Sequence, residues 1–252
     1  MRIAPGSSIV FEKETFFMKI WNRKGIVCVL LLGWAILVLW NYFRRFPFVN
    51  LQEVLLNGAM LCLLLLFFTA LGTRILRYFK VSFSSFAEEL SFSFGIGSGC
   101  IIFFMIVLCA LRIVHEIVVI GIVLLLFGFV YQDAKTLCLR GYTLLRSFSS
   151  KRWSPIDMVL LFLMGLAGIT TFLAAATPPF FYDALVYHLA VPQQYLLAHG
   201  FHYMPYHHFS NFPMNLGMLF MVGMCFSGGM LAKLISWSFA PMTAIAVYGF
   251  AK

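Results

Sequence analysis

The chain has 252 residues, 62% hydrophobic and 11% charged, with a mean hydropathy of +0.93 and a formal net charge of +9. That balance excludes a water-soluble globular domain and makes lipid the solvent for most side chains. The Lys and Arg residues flank apolar runs, where they act as topology signals, so the positive charge does not imply a nucleic-acid partner.

A spanning helix needs roughly 20 apolar residues, and the apolar runs predict an all-α integral membrane protein with about seven transmembrane helices. Residues 1–24 form a basic N-terminal segment. The first run, about Gly25 to Tyr42, follows Arg23 and Lys24 and lacks a small-residue cleavage site, so it is expected as a retained span and not as a signal peptide. The second, about Leu51 to Leu71, stops at Arg74, Arg77 and Lys80. Ser85-Phe86-Ala87-Glu88 fits a capping box opening a third span, about Glu89 to Leu111. Gly95 and Gly99 on that span form a small-xxx-small pair for close helix approach, and no strand precedes them as a phosphate loop requires.

A fourth span covers about Val114 to Tyr131, with His115 and Glu116 at its start, where polar residues fit a membrane interface. The basic stretch 132–154 reads as a cytosolic loop, closing a five-helix region over residues 25–176 with the fifth span at about Ile156 to Ala176. Thr177-Pro178-Pro179 ends it. Two further spans follow in 213–252, about Pro213 to Phe226 and Met230 to Phe250, separated by Ser227-Gly228-Gly229. With the N-terminus cytosolic, fourteen of the eighteen Lys and Arg residues fall inside, and residues 177–212 lie on the external side.

That external loop holds Asp183, five of the six histidines and five tyrosines, but no Lys or Arg. Its prolines predict two short juxtamembrane helices, about Phe180 to Ala190 and from Pro192 to Gly200. On the first, Asp183 and Tyr187 stand four residues apart on one face, whereas His188 lies about 140° round from Asp183. An aspartate near the membrane with no cation close in sequence is a candidate proton acceptor; an aspartate at the positive end of a short helix is the plain structural alternative. His199, His202, His207 and His208 offer imidazoles without a carboxylate or cysteine beside them, so no metal site is assigned and no cofactor is evident, a divalent ion being an unsupported option. The six cysteines form no CxxC pair.

Thr177-Pro178-Pro179, Tyr182-Asp183-Ala184-Leu185, Tyr187-His188-Leu189 and Ser210-Asn211-Phe212-Pro213 together resemble the first external loop of the GT-C membrane glycosyltransferases, in particular bacterial relatives of the protein mannosyltransferase and aminoarabinose transferase group. The resemblance covers about residues 177 to 226. It implies a sugar transferred from a polyprenyl-phosphate lipid donor to an external acceptor at a bacterial inner membrane, with Asp183 as general base and Tyr187, His188, His207 and His208 as substrate-binding candidates. Members of that family are longer and place further charged residues on later external loops, so the resemblance implies the N-terminal part of such an enzyme, completed by a C-terminal half or partner. The alternative is a non-catalytic or truncated multispan subunit that presents the external loop to a partner. A transporter ranks below both, because no charge sits near the centre of a span and no internal repeat is evident.

Overall fold

The computed structural model describes residues 32–42, 51–150, 154–179, 181–211 and 214–251, with single positions 29, 44 and 45. The N-terminal segment 1–24, the start of the first apolar run and Phe212-Pro213 lie outside the described residues. The chain divides into two units, residues 1–48 and 49–252. The first contributes helix α1 (Leu32–Tyr42), apolar and with exposed Trp34, Leu37 and Trp40.

The second unit contains α2 (Leu51–Tyr78), α3 (Phe86–Ala110), α4 (Glu116–Phe129), α5 (Tyr131–Ser150), α6 (Pro155–Ala175), a π-helical turn (Ala184–His188), α7 (Ala190–Leu197), a 3₁₀ turn (His208–Asn211), α8 (Asn215–Ser227) and α9 (Gly229–Phe250). No strand occurs among the described residues. Four of these helices are long and apolar enough to cross a membrane, and a fifth span results if α4 and α5, bent by 67° at Val130, count as one. An all-helical membrane architecture follows.

The α2–α3 contact is the closest in the bundle. A Cβ built on Gly97 would lie 1.7 Å from the Phe68 carbonyl oxygen, and one on Gly72 would lie 1.8 Å from that of Ser93. Close approach lets Thr73 Oγ1 donate to Ser93 Oγ at 3.0 Å in a buried position. The expected pair Gly95 and Gly99 is corrected: a Cβ built on either meets no atom of another helix within 4 Å. Successive residues turn by about 100°, so Gly97 faces away from its glycine neighbours, and Ser93-xxx-Gly97 is the small-xxx-small pair that meets α2.

Residues 131–150, expected as a loop, form the amphipathic helix α5. Ala134 and Leu137 are buried on one face, while Lys135, Arg140 and Arg146 are exposed. Polar composition concealed a helical stripe. Asp133 in its first turn is fully buried and pairs with Arg74 Nε at 3.2 Å and Arg77 Nη1 at 2.6 Å. Arg140 clasps Glu89 of α3 through two bonds of 2.7 and 2.9 Å. These pairs fix one end of the bundle, called here the basic end. The Ser85 cap is present, its Oγ accepting from Glu88 N at 3.2 Å, but the Glu88 carboxylate accepts from Ser84 N and Oγ, so the box closes one residue early.

The opposite end carries the C-termini of α3 and α6, the start of α4 and the 177–211 segment. Ser154 and Asp157 form a full capping box at the start of α6, with Pro155 in its first turn. α6 touches α9 through Phe172–Trp237 rings 5.1 Å apart and a Trp237 Nε1–Thr171 Oγ1 bond of 3.0 Å. Phe172 also approaches α2, its Cζ 3.6 Å from a Cβ built on Gly58, and among the described residues 6% of the α6 apolar window is buried against 44% for α2 and for α3.

α8 has 13 residues and reaches about 20 Å, less than the ~30 Å of a hydrocarbon core. The turn into α9 is made at Gly228, whose φ of +83° favours glycine. Five residues later Lys233 Nζ donates to the Thr177 carbonyl oxygen and lies 3.5 Å from Thr177 Oγ1. At its other end, a Cβ on Gly249 would meet Glu88 N at 3.0 Å. α9 therefore runs from the loop end, where α6 terminates, to the basic end, where α3 begins.

Candidate functional site

The segment that carries Asp183 enters helix at Tyr182, and at Leu189 its backbone widens: Leu189 N donates to Ala184 O at 3.1 Å, a five-residue span in place of four. Pro192 three residues on has no N–H, so the His188 carbonyl gets no helical donor. The two short helices expected here thus occur as a π turn running directly into α7, with their boundary at Leu189. π turns recur at functional sites because they re-aim the side chains on either side.

This turn gathers the predicted residues. Asp183 stands one turn from Tyr187, near enough for its carboxylate to act on the phenol, as the four-residue spacing predicts. Partial desolvation first, then the Asp183 charge and hydrogen bonding toward that carboxylate, hold the Tyr187 phenol above its usual range. The Tyr187 ring stacks on Phe209 at 4.6 Å and 16°, and meets the His188 imidazole at 4.1 Å. Phe209 in turn touches His208 at 3.9 Å and His207 at 5.9 Å. Tyr187, His188, His207 and His208 are therefore linked through the stacked Tyr187 and Phe209 rings, with Asp183 one turn from Tyr187 and Asp183, His188 and His208 exposed.

His207 joins the 200–211 segment to the π turn. Its Nε2 lies 2.9 Å from Val186 O; a carbonyl only accepts, so Nε2 carries the proton and Nδ1 presents a lone pair. That Nδ1 is buried without a hydrogen-bond partner among the described residues. His199 and His202 lie apart from this cluster, and no group of three His, Cys, Asp or Glu side chains among the described residues converges as a metal-binding set.

Beside the cluster is a cavity of about 790 Å³. Ala184 and Leu185, directly after Asp183, form part of its wall, together with Gln193, Leu189, Met224 and the Gly228–Met230 turn. Its other wall is the α3–α4 connection, contributing His115 and Glu116. His199 closes it from α7. The His199 ring lies 3.9 Å from that of His115, its Nδ1 bonds Val114 O at 3.0 Å, and its carbonyl accepts from Val114 N at 3.1 Å. His199 holds φ at +54° to make these contacts, ending α7 with Gly200 N on Tyr195 O at 2.9 Å and His199 N on Leu196 O at 3.1 Å.

Sequence reasoning assigned His115 and Glu116 to an interface and missed this wall. The available signal was two adjacent polar residues opening an otherwise apolar helix. It also missed that Lys233, the sole Lys or Arg between Arg152 and Lys252, sits at Thr177. Chemically, the arrangement offers an exposed carboxylate one turn from a phenol, several imidazoles, one cation at the start of the loop and an adjoining cavity with apolar and polar walls. Comparison with family models, with curated proteins and with solved structures finds no match to the chain.

Proposed function

We propose that the chain acts as a GT-C-like membrane glycosyltransferase, or the front part of one, moving a sugar from a polyprenyl-phosphate lipid to an acceptor on the external side of a bacterial inner membrane. The supporting observation is the placing of Asp183 one turn from Tyr187, with His188, His207 and His208 around the same stacked rings, beside a cavity at the loop end. In this reading Asp183 takes the proton from the acceptor hydroxyl as that oxygen bonds to the anomeric carbon. The bond from that carbon to the phosphate breaks, the lipid phosphate leaves, and one direct displacement inverts the configuration. Lys233 and the imidazoles are the groups near the loop that favour negative charge on the leaving phosphate.

The topology that fits this reading has the N-terminus cytosolic and residues 177–211 external. α8 enters and leaves at the external end, since Lys233, just after the turn, bonds Thr177 where α6 terminates. Six crossings then replace the seven that the apolar runs alone give.

Release of polyprenyl phosphate tests the activity without knowledge of the sugar. The full chain, reconstituted with a lipid extract containing polyprenyl-phosphate sugars, is expected to release it, and Asp183→Asn to cut the rate by at least a hundredfold with unchanged helix content. No release by the parent chain would sink the reading that it is active by itself, and full activity in Asp183→Asn would sink the role of Asp183. The low burial of α6 among the described residues is compatible with a second reading, a non-catalytic subunit whose 177–211 segment is shown to a partner.

A further inference from the structure

We propose that the cavity between the α3–α4 connection and α7 is a binding site for one amphiphile with a positively charged, hydrogen-bond-donating head, that is, a primary-amine lipid. This goes beyond the glycosyltransferase reading and stands without it. The cavity's volume of about 790 Å³ is that of a ligand site, and its wall is mainly aliphatic. Leu185, Leu197 and Ile117 on that wall are 54%, 68% and 85% exposed, so its apolar surface continues outward to where an acyl chain lies.

Charge selects the head. Glu116 is the only charged side chain in the wall, and it has no ion-pair partner among the described residues. Among the described residues no Lys or Arg lines the cavity, and Lys233 is turned to Thr177. An anionic head would face the Glu116 carboxylate with no cation to offset it, whereas an ammonium would be paired. The neighbouring groups are acceptors as well. Nδ1 of His199 is engaged by Val114 O, which leaves Nε2 as the ring nitrogen free to accept, and Gln193 brings an amide oxygen. A primary ammonium has three N–H donors, so Glu116, His199 and Gln193 offer one acceptor for each.

The test is native mass spectrometry of the purified full chain, titrated in dodecylmaltoside with lysophosphatidylethanolamine, its N-acetylated form, lysophosphatidylglycerol and free ethanolamine. One saturable lysophosphatidylethanolamine per chain is expected. The N-acetylated and glycerol-headed lipids should bind at least about tenfold more weakly, and Glu116→Gln should weaken the amine lipid alone by about tenfold, the size of one charge-assisted bond. Equal binding of the three lipids, an unchanged affinity in Glu116→Gln, or an equal loss for all lipids in that variant would overturn the site. Displacement of the lipid by ethanolamine at equal concentration would overturn the amphiphile, because the apolar wall would then contribute nothing.

Discussion

Replacing Gly97 by alanine puts the α2–α3 contact to a quantitative test. The added Cβ would lie 1.7 Å from Phe68 O and 3.0 Å from Gly72 N, whereas ordinary contact begins at 3.4 Å. Both obstacles are backbone atoms, so no side-chain rotation relieves them and the helices must part by about 1.7 Å. Parting breaks the buried Thr73–Ser93 bond, worth about 1 kcal/mol, and the overpacking itself costs about 1–3 kcal/mol. Alanine returns up to about 1 kcal/mol through its better helix propensity, leaving a net loss of about 1–3 kcal/mol, or roughly 5- to 150-fold in the folding equilibrium. At Gly95 and Gly99 the same change meets open space and keeps only the gain. Titration of dodecylmaltoside-solubilised protein with dodecyl sulfate, followed by tryptophan fluorescence, measures both. If Gly97→Ala unfolds at the parent's dodecyl sulfate fraction, or Gly95→Ala proves the more damaging, the packing argument fails.

Asp133→Ala strands Arg74 and Arg77 at the α4–α5 bend. Their side chains are 40% and 57% exposed, so the loss is expected near the low end for a broken buried pair, about 2–3 kcal/mol in the same unfolding titration. Asp183→Asn removes the charge that disfavours the Tyr187 phenolate, so ultraviolet titration should show one tyrosine ionising at lower pH than in the parent. Because the Tyr187 value is raised on folding, its contribution to stability is complete below the ordinary tyrosine range near pH 10 and is lost as pH rises beyond it. Lys80 caps α2 with φ at +54°, so Lys80→Gly is expected to raise stability by about 0.5–1 kcal/mol. For the orientation, Ala198→Cys should label with an impermeant thiol reagent from outside while a fluorescent protein fused after Lys252 folds in the cytosol; a dark fusion would refute the six-crossing path.

Much of the bundle was legible because lipid imposes simple rules. Long apolar runs such as 51–78 and 86–110 must become helices, and caps such as Ser85 act within one turn. What escaped were features that depend on rotation about a helix or on distant partners. Gly95, Gly97 and Gly99 are equivalent in composition, and only the arrival of Gly72 from α2 selects the middle one. The polar 131–150 stretch became a helix because Asp133 found Arg74 and Arg77 more than fifty residues away. At the site, the Asp183–Tyr187 proximity was readable from a four-residue spacing. The π turn was not, since it arises from Pro192 and packing together, and the cavity was invisible because its walls come from three separated segments.

The charge count could not detect the path of α8, and the reason is arithmetical. If α8 crosses, Lys233 lies inside and Lys252 outside; if it turns back, the two exchange sides, and fourteen residues remain inside in either case. A rule that sums Lys and Arg over both faces is blind to any re-entrant segment that swaps one cation for another. The Lys233–Thr177 bond is what favours the re-entrant path proposed above, because it puts the start of α9 at the end of the bundle where α6 terminates. The consequence reaches the candidate site. The loop that seemed to hold no cation has one at its first residue, delivered by a helix that sequence order places on the other side of the membrane.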